Sequence, residues 1–144
     1  MLSKRTQYAL KAVGYLASKH GSGPILISEI AGRKNIPLKF LENILLELKQ
    51  KGLLLSKKGK GGGYYLAFDP SDITMATVIR MVEGPIAMLS CVSLNFYKKC
   101  EDCNEEVCSL RQNMAEARDA VLKVLENKSL AQLADKGSAA DTPA

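Results

Sequence analysis

Four cysteines fall within eighteen residues, with the spacing Cys91-x8-Cys100-x2-Cys103-x4-Cys108. Thiolates are soft donors, so four of them in one short segment suit a tetrahedral zinc ion or an iron–sulfur cluster. Two of them would instead form a disulfide under oxidation, which would make the segment a thiol switch. Only Cys100 and Cys103 have the close pairing that zinc knuckles use twice. The spacing alone therefore leaves the cluster, the zinc ion and the thiol switch open.

The charge of the chain is divided unevenly between its two halves. Residues 1–68 carry a net charge of +9 and residues 69–144 carry −4, which together give the overall +5. A basic half beside an acidic half predicts that the first half meets a polyanion such as DNA. No apolar run approaches the roughly 18 residues of a membrane span, and Lys11 interrupts the N-terminal apolar stretch. We therefore expect a cytoplasmic protein with no membrane partner, where a structural disulfide framework would not persist.

The elements that position this chemistry begin with a predicted helix-turn-helix in residues 28–51. Ser28 is expected to cap a short helix from Glu29 to Lys34, and the turn Asn35-Ile36-Pro37 leads into a longer helix over residues 38–51. That helix has one apolar stripe, formed by Leu41, Ile44, Leu45 and Leu48. The same pattern fits an ordinary amphipathic helix pair with a solvated outer face.

The outer face of the longer helix carries residue types that read base edges. The N-terminal residues of the second helix in a helix-turn-helix reach into the major groove. Lys39 is suited to guanine and Asn43 to adenine, while Glu42 would accept a hydrogen bond from cytosine.

A β-hairpin with a lysine- and glycine-filled tip is predicted next, and it favours the DNA-binding interpretation. Residues 53–57 and 64–68 are strand-like, and the tip between them reads Lys58-Gly59-Lys60-Gly61-Gly62-Gly63. Lys58 and Lys60 would contact phosphate or the minor groove, and glycines such as Gly61 allow close approach of the backbone. A nucleotide-binding loop is the alternative, and it is disfavoured because G-x-x-x-x-G-K-[ST] is absent and a hairpin is the wrong context for a dinucleotide fingerprint.

The rest of the chain is predicted to be helical scaffold around the cysteine segment. A first helix capped by Ser3 runs to about His20, and another helix, from Thr74 to Glu83, ends at Gly84-Pro85. A long helix follows from about Cys108 to Asn127. Its 4-3-4-3 apolar spacing predicts the seam of a homodimer, formed by Leu110, Met114, Ala117, Val121 and Val124.

The predicted fold class is mainly α with a small β-hairpin wing: a winged helix-turn-helix followed by a long C-terminal dimerisation helix. We expect a DNA-binding domain over residues 1–84, a cysteine-rich sensor loop over 85–108, and the dimerisation helix with a short terminal helix over 109–136. The short helix is capped by Ser129, and residues 137–144 are predicted to be a disordered tail.

Several motifs, spread over nearly the whole chain, resemble the IscR/NsrR/CymR family of bacterial regulators, the Rrf2 group. They are Lys4-x3-Tyr8-Ala9-Leu10, Ile36-Pro37-Leu38-Lys39-Phe40-Leu41-Glu42 and, most specific, Gly59-Lys60-Gly61-Gly62-Gly63-Tyr64. Members of this family are homodimeric winged-helix DNA-binding proteins, mostly repressors. The resemblance implies that Lys58 lies at the minor groove and that a set of residues lies in the major groove: Pro37, Lys39, Phe40, Glu42 and Asn43.

Many family members carry an iron–sulfur cluster between the wing and the dimer helix, so the resemblance favours a cluster over zinc. This chain departs from the usual three-cysteine pattern through its wider first gap and its additional Cys103, and no histidine follows Cys108 closely. It therefore predicts all-cysteine ligation of a [2Fe–2S] or [4Fe–4S] cluster by Cys91, Cys100, Cys103 and Cys108. Some relatives bind no cluster and act through a regulatory protein partner, which remains an alternative.

An enzymatic alternative is a thiol–disulfide oxidoreductase that uses Cys100-Glu101-Asp102-Cys103. Such enzymes need a βαβ context, which is missing, and the two acidic residues between the cysteines disfavour a thiolate. We therefore predict that the chain is not an enzyme.

Overall fold

The computed structural model describes residues 2–134, and its first helix lies against most of the other elements. This helix, α1 (Lys4–Ser18), is capped as predicted by Ser3, whose hydroxyl accepts a hydrogen bond from the Thr6 backbone N–H at 3.2 Å. It ends at Ser18, slightly before the predicted end at His20. Its apolar face is fully covered by the surrounding elements, with Leu10, Val13, Leu16 and Ala17 all buried.

The predicted helix-turn-helix is present as α2 (Ile27–Lys34) and α3 (Leu38–Gln50). Asn35 takes a left-handed conformation (φ 53°) and ends α2. The predicted cap at Ser28 is wrong, because α2 already begins at Ile27 and the preceding Leu26 makes no side-chain cap bond. Ile25 is the reason: its N–H and C=O both pair with Tyr64 at 2.8 Å, so the chain leaves a β-bridge and turns directly into the helix.

The wing consists of β1 (Leu54–Lys57) and β2 (Gly63–Leu66), paired antiparallel from Leu54–Leu66 to Lys57–Gly63. Both strands are slightly shorter than predicted. Gly63 packs so closely on the backbone of Ile25 that an added Cβ would lie 2.1 Å from its carbonyl oxygen. The wing is therefore held to the helical part by backbone contacts that require this glycine.

The remaining helices are α4 (Met75–Val82), α5 (Ser109–Leu125) and α6 (Leu130–Leu133). Short 3-10 turns at Ser90–Val92 and Glu105–Val107 interrupt the irregular segment between α4 and α5.

Although α6 is short, it belongs to the main core. Ser129 caps it as predicted, and the backbone N–H of Leu130 donates to the carbonyl of Ile73 at 2.8 Å. The Leu130 side chain is completely buried. The predicted tail over 137–144 lies outside the described residues. No helix within residues 2–134 is long and apolar enough to cross a membrane.

Glu83 fastens the end of α4 to the start of α1. Its carboxylate accepts hydrogen bonds from the Ser3 hydroxyl at 2.7 Å, from the Ser3 backbone N–H and from the Thr6 hydroxyl. These bonds favour the charged form, so the Thr6 bond and then the Ser3 bonds lower the pKa of Glu83 below its usual value of 4.5. The joint lies directly before Gly84, where the chain departs toward the cysteines.

We expect Glu83→Gln to lower the free energy of unfolding at pH 7 by no more than about 1 kcal/mol, because the carboxylate is only partly buried. A carboxyl whose pKa is lowered by folding contributes stability above its unfolded pKa and loses it as the pH falls through the folded pKa. The difference between wild type and variant should therefore be present at pH 7 and shrink below pH 4.5. Urea unfolding at several pH values measures it. Glu116→Gln, at an exposed carboxylate on α5, is the control; an equal pH response in both variants would contradict the role of Glu83.

Candidate nucleic-acid interface and cysteine cavity

The first two turns of α3 present polar side chains to solvent. The Lys39 side chain is 95% exposed and Glu42 is 45% exposed, with 3.8 Å between the Lys39 Nζ and a Glu42 carboxylate oxygen. Asn43 is also exposed, and Pro37 occupies the position just before the helix. The opposite face is buried through Leu41, Ile44, Leu45 and Leu48. The predicted base-reading residues therefore share one accessible surface.

Phe40 lies on this surface but has an aromatic partner in α1. Its ring meets the Tyr8 ring edge to face, with 5.5 Å between the centroids and 79° between the planes. The Nζ of Lys4 lies 5.3 Å from the centroid of the Tyr8 ring. Sequence reasoning placed Tyr8 only in a family motif, because nothing in a linear pattern shows which residue Phe40 meets.

The wing tip is built from glycines that hold a tight turn between two exposed lysines. Gly59 (φ 89°) and Gly61 (φ 75°) are left-handed, and the N–H of Gly62 donates to the Gly59 carbonyl at 3.0 Å. Lys58 and Lys60 are exposed and form no ion pair within residues 2–134. The tip therefore offers two uncompensated cations and an accessible backbone to a polyanion.

Glu47, on the second half of α3, is paired with two basic side chains. Arg5 of α1 forms an ion pair with it, and the Lys51 Nζ lies 2.8 Å from its other carboxylate oxygen. Lys51 also donates to the carbonyl of Met81. These contacts join α1, α3 and α4, and they leave the positive charge of the outer surface unopposed by this carboxylate.

The four cysteines line one open cavity of about 350 Å³, together with residues of the surrounding loop such as Ser90 and Lys98. Cys91 is buried and Cys103 is exposed, while Cys100 and Cys108 are intermediate; all four are free thiols. The pKa of Cys103 is raised to about 12, chiefly by a hydrogen bond with Cys100 and also by one with Cys108. All four thiols therefore border the same cavity, and the Cys103 thiol interacts with those of Cys100 and Cys108.

The cysteine loop is fastened to α5 by contacts that the sequence did not reveal. The Sγ of Cys108 caps α5 by accepting from the N–H of Arg111 at 3.4 Å. The Arg118 guanidinium donates to the carbonyl of Val92 at 2.7 Å, beside Cys91. Arginines are common on exposed helix faces, so neither the pattern nor the spacing marks Arg118.

Glu105 organises the middle of the loop. Its carboxylate accepts from the hydroxyl of Tyr97 at 2.7 Å and from the backbone N–H of Cys100 at 3.1 Å. The Tyr97 bond, followed by the Cys100 bond, lowers the pKa of Glu105, and the same carboxylate raises the pKa of Tyr97. The carboxylate also lies 3.8 Å from the Nε of Arg111, so Glu105 links the loop to the first turn of α5.

The donor set fits an iron–sulfur cluster or a zinc ion by its chemistry, because four thiols border a single cavity. Within residues 2–134, no three cysteine, histidine or acidic side chains lie close enough together to hold one metal ion. Ligation would therefore have to draw the cysteines of the loop inward.

The apolar stripe of α5 is largely uncovered by the rest of residues 2–134. Leu110 is 57% exposed, Val121 46% and Val124 55%. Met114 and Ala117 are intermediate, and Leu122, on another face, is the residue that α5 buries against the rest of residues 2–134. A stripe of this length in contact with solvent has the character of an unpaired helix interface.

Comparison with known proteins identifies relatives over nearly the full chain. A family model described as "Rrf2: Iron-dependent Transcriptional regulator" matches residues 2–136. A putative HTH-type transcriptional regulator, rrf2-like, from Rhodobacter capsulatus is 35% identical over 144 residues, which span 97% of this chain and 96% of the relative.

Solved structures of similar fold include CymR from Bacillus subtilis, described as its global cysteine regulator. It has a TM-score of 0.78 and 34% identity, covering 93% of this chain and 95% of that one. T. potens IscR has a TM-score of 0.75 and 26% identity, covering 92% and 85% respectively. These matches confirm the predicted winged-helix fold. The named relatives are transcriptional regulators, which also confirms the prediction that the chain is not an enzyme.

Proposed function

The chain belongs to the Rrf2 family of DNA-binding transcriptional regulators, and we propose that it acts as a homodimeric repressor controlled by its cysteine cavity. The observation that carries this proposal is the cavity itself. Four free thiols border it, and its walls are joined to α5, the helix with the uncovered apolar stripe. The proposal has three parts: the DNA contacts, the dimer and the sensor.

In the DNA complex, the first turns of α3 enter the major groove. Lys39 and Asn43 donate to guanine and adenine edges, and Glu42 accepts from cytosine. Pro37 and Phe40 set the position of the helix in the groove. The wing lies against the adjacent minor groove, where Lys58 and Lys60 meet phosphates and the backbone at Gly61 approaches the duplex.

Two chains associate through the stripe of α5. The stripe consists of Leu110, Met114, Ala117, Val121 and Val124, and pairing it with a second copy removes the exposed apolar surface from water. The twofold axis then places two α3 helices on one face, where they meet successive major grooves of a near-palindromic site.

The sensor uses Cys91, Cys100, Cys103 and Cys108 as ligands of an iron–sulfur cluster. When bound, such a cluster supplies a centre that responds to redox state, iron supply and nitric oxide. Because Cys108 caps α5 and the Val92 carbonyl beside Cys91 is held by Arg118, ligation by the four thiols would act on these two contacts. Both contacts act on the dimer helix, and through it on the separation of the two α3 helices.

A thiol switch is the second candidate, favoured by the presence of the free thiols of Cys100 and Cys103 on one cavity. Two neighbouring thiols form a disulfide when an oxidant such as a peroxide accepts two electrons and two protons from them. A zinc ion or a regulatory protein partner would provide other cluster-free controls of the same fold.

The dimer predicts that Val121→Glu sediments as a monomer, because a carboxylate at the seam would be buried without a partner. Gln112→Glu, on the opposite face of α5, adds the same charge and should leave the dimer intact. Analytical ultracentrifugation at micromolar concentration measures both. A monomeric wild-type protein, or a dimeric Val121→Glu variant, would contradict this assignment of the interface.

The DNA contacts predict different effects for a base-reading and a phosphate-binding residue. Asn43→Ala should change the preferred base at one operator position, removing about 1–3 kcal/mol of discrimination. Lys58→Ala should weaken binding to all sequences and reduce the slope of log affinity against log salt by about 0.9. Lys123→Ala, on α5, is the charge-matched control. Binding of the wild type that does not respond to salt would argue against a duplex as the partner.

The sensor predicts that protein purified without oxygen is coloured and contains iron and acid-labile sulfide. Each single Cys→Ser replacement at the four ligand positions should lower both contents, and loss of the chromophore should change operator affinity in a retardation assay. A colourless protein with one tightly held zinc ion would refute the cluster. A metal-free protein that forms a Cys100–Cys103 disulfide under peroxide would favour the thiol switch.

A further inference from the structure

We propose that the exposed face of α1 is a second DNA-contacting surface, on which Lys4, Tyr8 and Lys11 bind phosphates beside the groove that α3 enters. This inference rests on the proposed docking of α3 and extends it to residues outside the helix-turn-helix and the wing.

The three residues share one face of α1 because their spacing is i, i+4, i+7. Lys4 and Lys11 are exposed, and Tyr8 is partly exposed. The face continues directly from the first turn of α3, since the Tyr8 ring centroid lies 5.5 Å from that of Phe40 and the Lys4 Nζ lies over the Tyr8 ring. Lys39, the neighbour of Phe40, is 95% exposed. Phosphate-binding and base-reading groups are therefore adjacent.

Of the basic side chains of α1, one is held in an ion pair within the protein and two are available to bind a ligand. Arg5 is paired with Glu47 and belongs to the contacts that hold α3. Lys4 and Lys11 form no ion pair within residues 2–134, and α1 contains no acidic residue. Glu83 lies near the start of α1, but it bonds to Ser3 and to the buried Thr6 rather than to this face. The positive charge of Lys4 and Lys11 is thus free to meet a polyanion.

Tyr8 contributes in two ways. Its ring limits the rotamers of Phe40, an otherwise exposed side chain, and so fixes α1 relative to the reading helix. Its hydroxyl is a donor of the kind that binds phosphate oxygens in protein–DNA complexes. Contacts of this type fix the register of a protein on the duplex and carry no sequence information.

A duplex is the occupant that fits this face, because the same surface already carries the groups suited to base edges. An acidic protein would be attracted to the lysines alone, without any need for the adjacent Asn43 and Glu42. Binding of such a protein instead of DNA is therefore an outcome that the experiment must be able to reveal.

The test measures operator affinity of the full-length protein between about 50 and 200 mM salt. Each lost phosphate contact lowers the salt slope by about 0.9, which corresponds to about 3.5-fold in affinity over this range. Over this salt range, the fall in affinity of the Lys4→Gln, Lys11→Gln double variant should therefore be about 12-fold smaller than that of wild type. Its base preference should be unchanged. Tyr8→Phe keeps the ring contact with Phe40 and should weaken binding to all sequences equally.

The controls separate this inference from the function on which it rests. Lys123→Gln removes a charge from α5 and should leave the salt slope unchanged, and thermal unfolding checks that the α1 variants are folded. If wild type binds the operator and the double variant keeps the full salt slope, the phosphate-binding role of α1 is refuted while DNA binding by α3 stands. An acidic protein then becomes the ligand to test for this face. If wild type shows no salt-dependent binding, the proposed function itself fails. A changed base preference in Tyr8→Phe would assign that hydroxyl to base reading and overturn its phosphate role.

Discussion

The rotational setting of α3 is the constraint on which the rest of the molecule depends. Leu41, Ile44, Leu45 and Leu48 are each at most 1% exposed, and full burial of such a side chain stabilises a fold by about 1.5–3 kcal/mol. Rotating the helix by half a turn about its axis would bring these groups toward water and turn Lys39 and Asn43 toward the core. Burial of the inner face therefore decides which side chains reach solvent, and the outer residues need no contact of their own to be placed there.

The sequence was sufficient where local chemistry decides the structure. The stripe of α3, the caps at Ser3 and Ser129 and the glycine-rich hairpin are local patterns, and the first helix, the helix-turn-helix and the wing follow from them. It failed at α2, because the bridge between Ile25 and Tyr64 joins positions far apart in the chain and starts the helix before Ser28. The roles of Glu105 and Arg118 were also not predicted from the sequence, because their partners are carbonyl, amide and hydroxyl groups that no periodic pattern identifies.

The two amphipathic helices, α3 and α5, show why a stripe alone does not define its partner. Both have apolar residues at helical spacing, yet the stripe of α3 is buried in the chain while that of α5 remains largely in water. The difference arises because α1 and the wing cover α3, whereas α5 turns Leu122 inward and leaves the 4-3-4-3 positions outside. The sequence predicts the stripe, but only the arrangement of neighbouring elements shows that the rest of residues 2–134 does not cover it.

The contacts between the cysteine loop and α5 are of the right strength for regulation. A tenfold change in DNA affinity requires a difference of about 1.4 kcal/mol between two states. A hydrogen bond from a charged group, such as that of Arg118 to the Val92 carbonyl, contributes roughly 1.5–3 kcal/mol. A signal at the cysteines shifts the balance only if it stabilises one arrangement of this joint more than the other. Under the proposed control by the cysteine cavity, losing or gaining one such contact is enough, and neither the unfolding of α5 nor a change in the core that sets α3 is required.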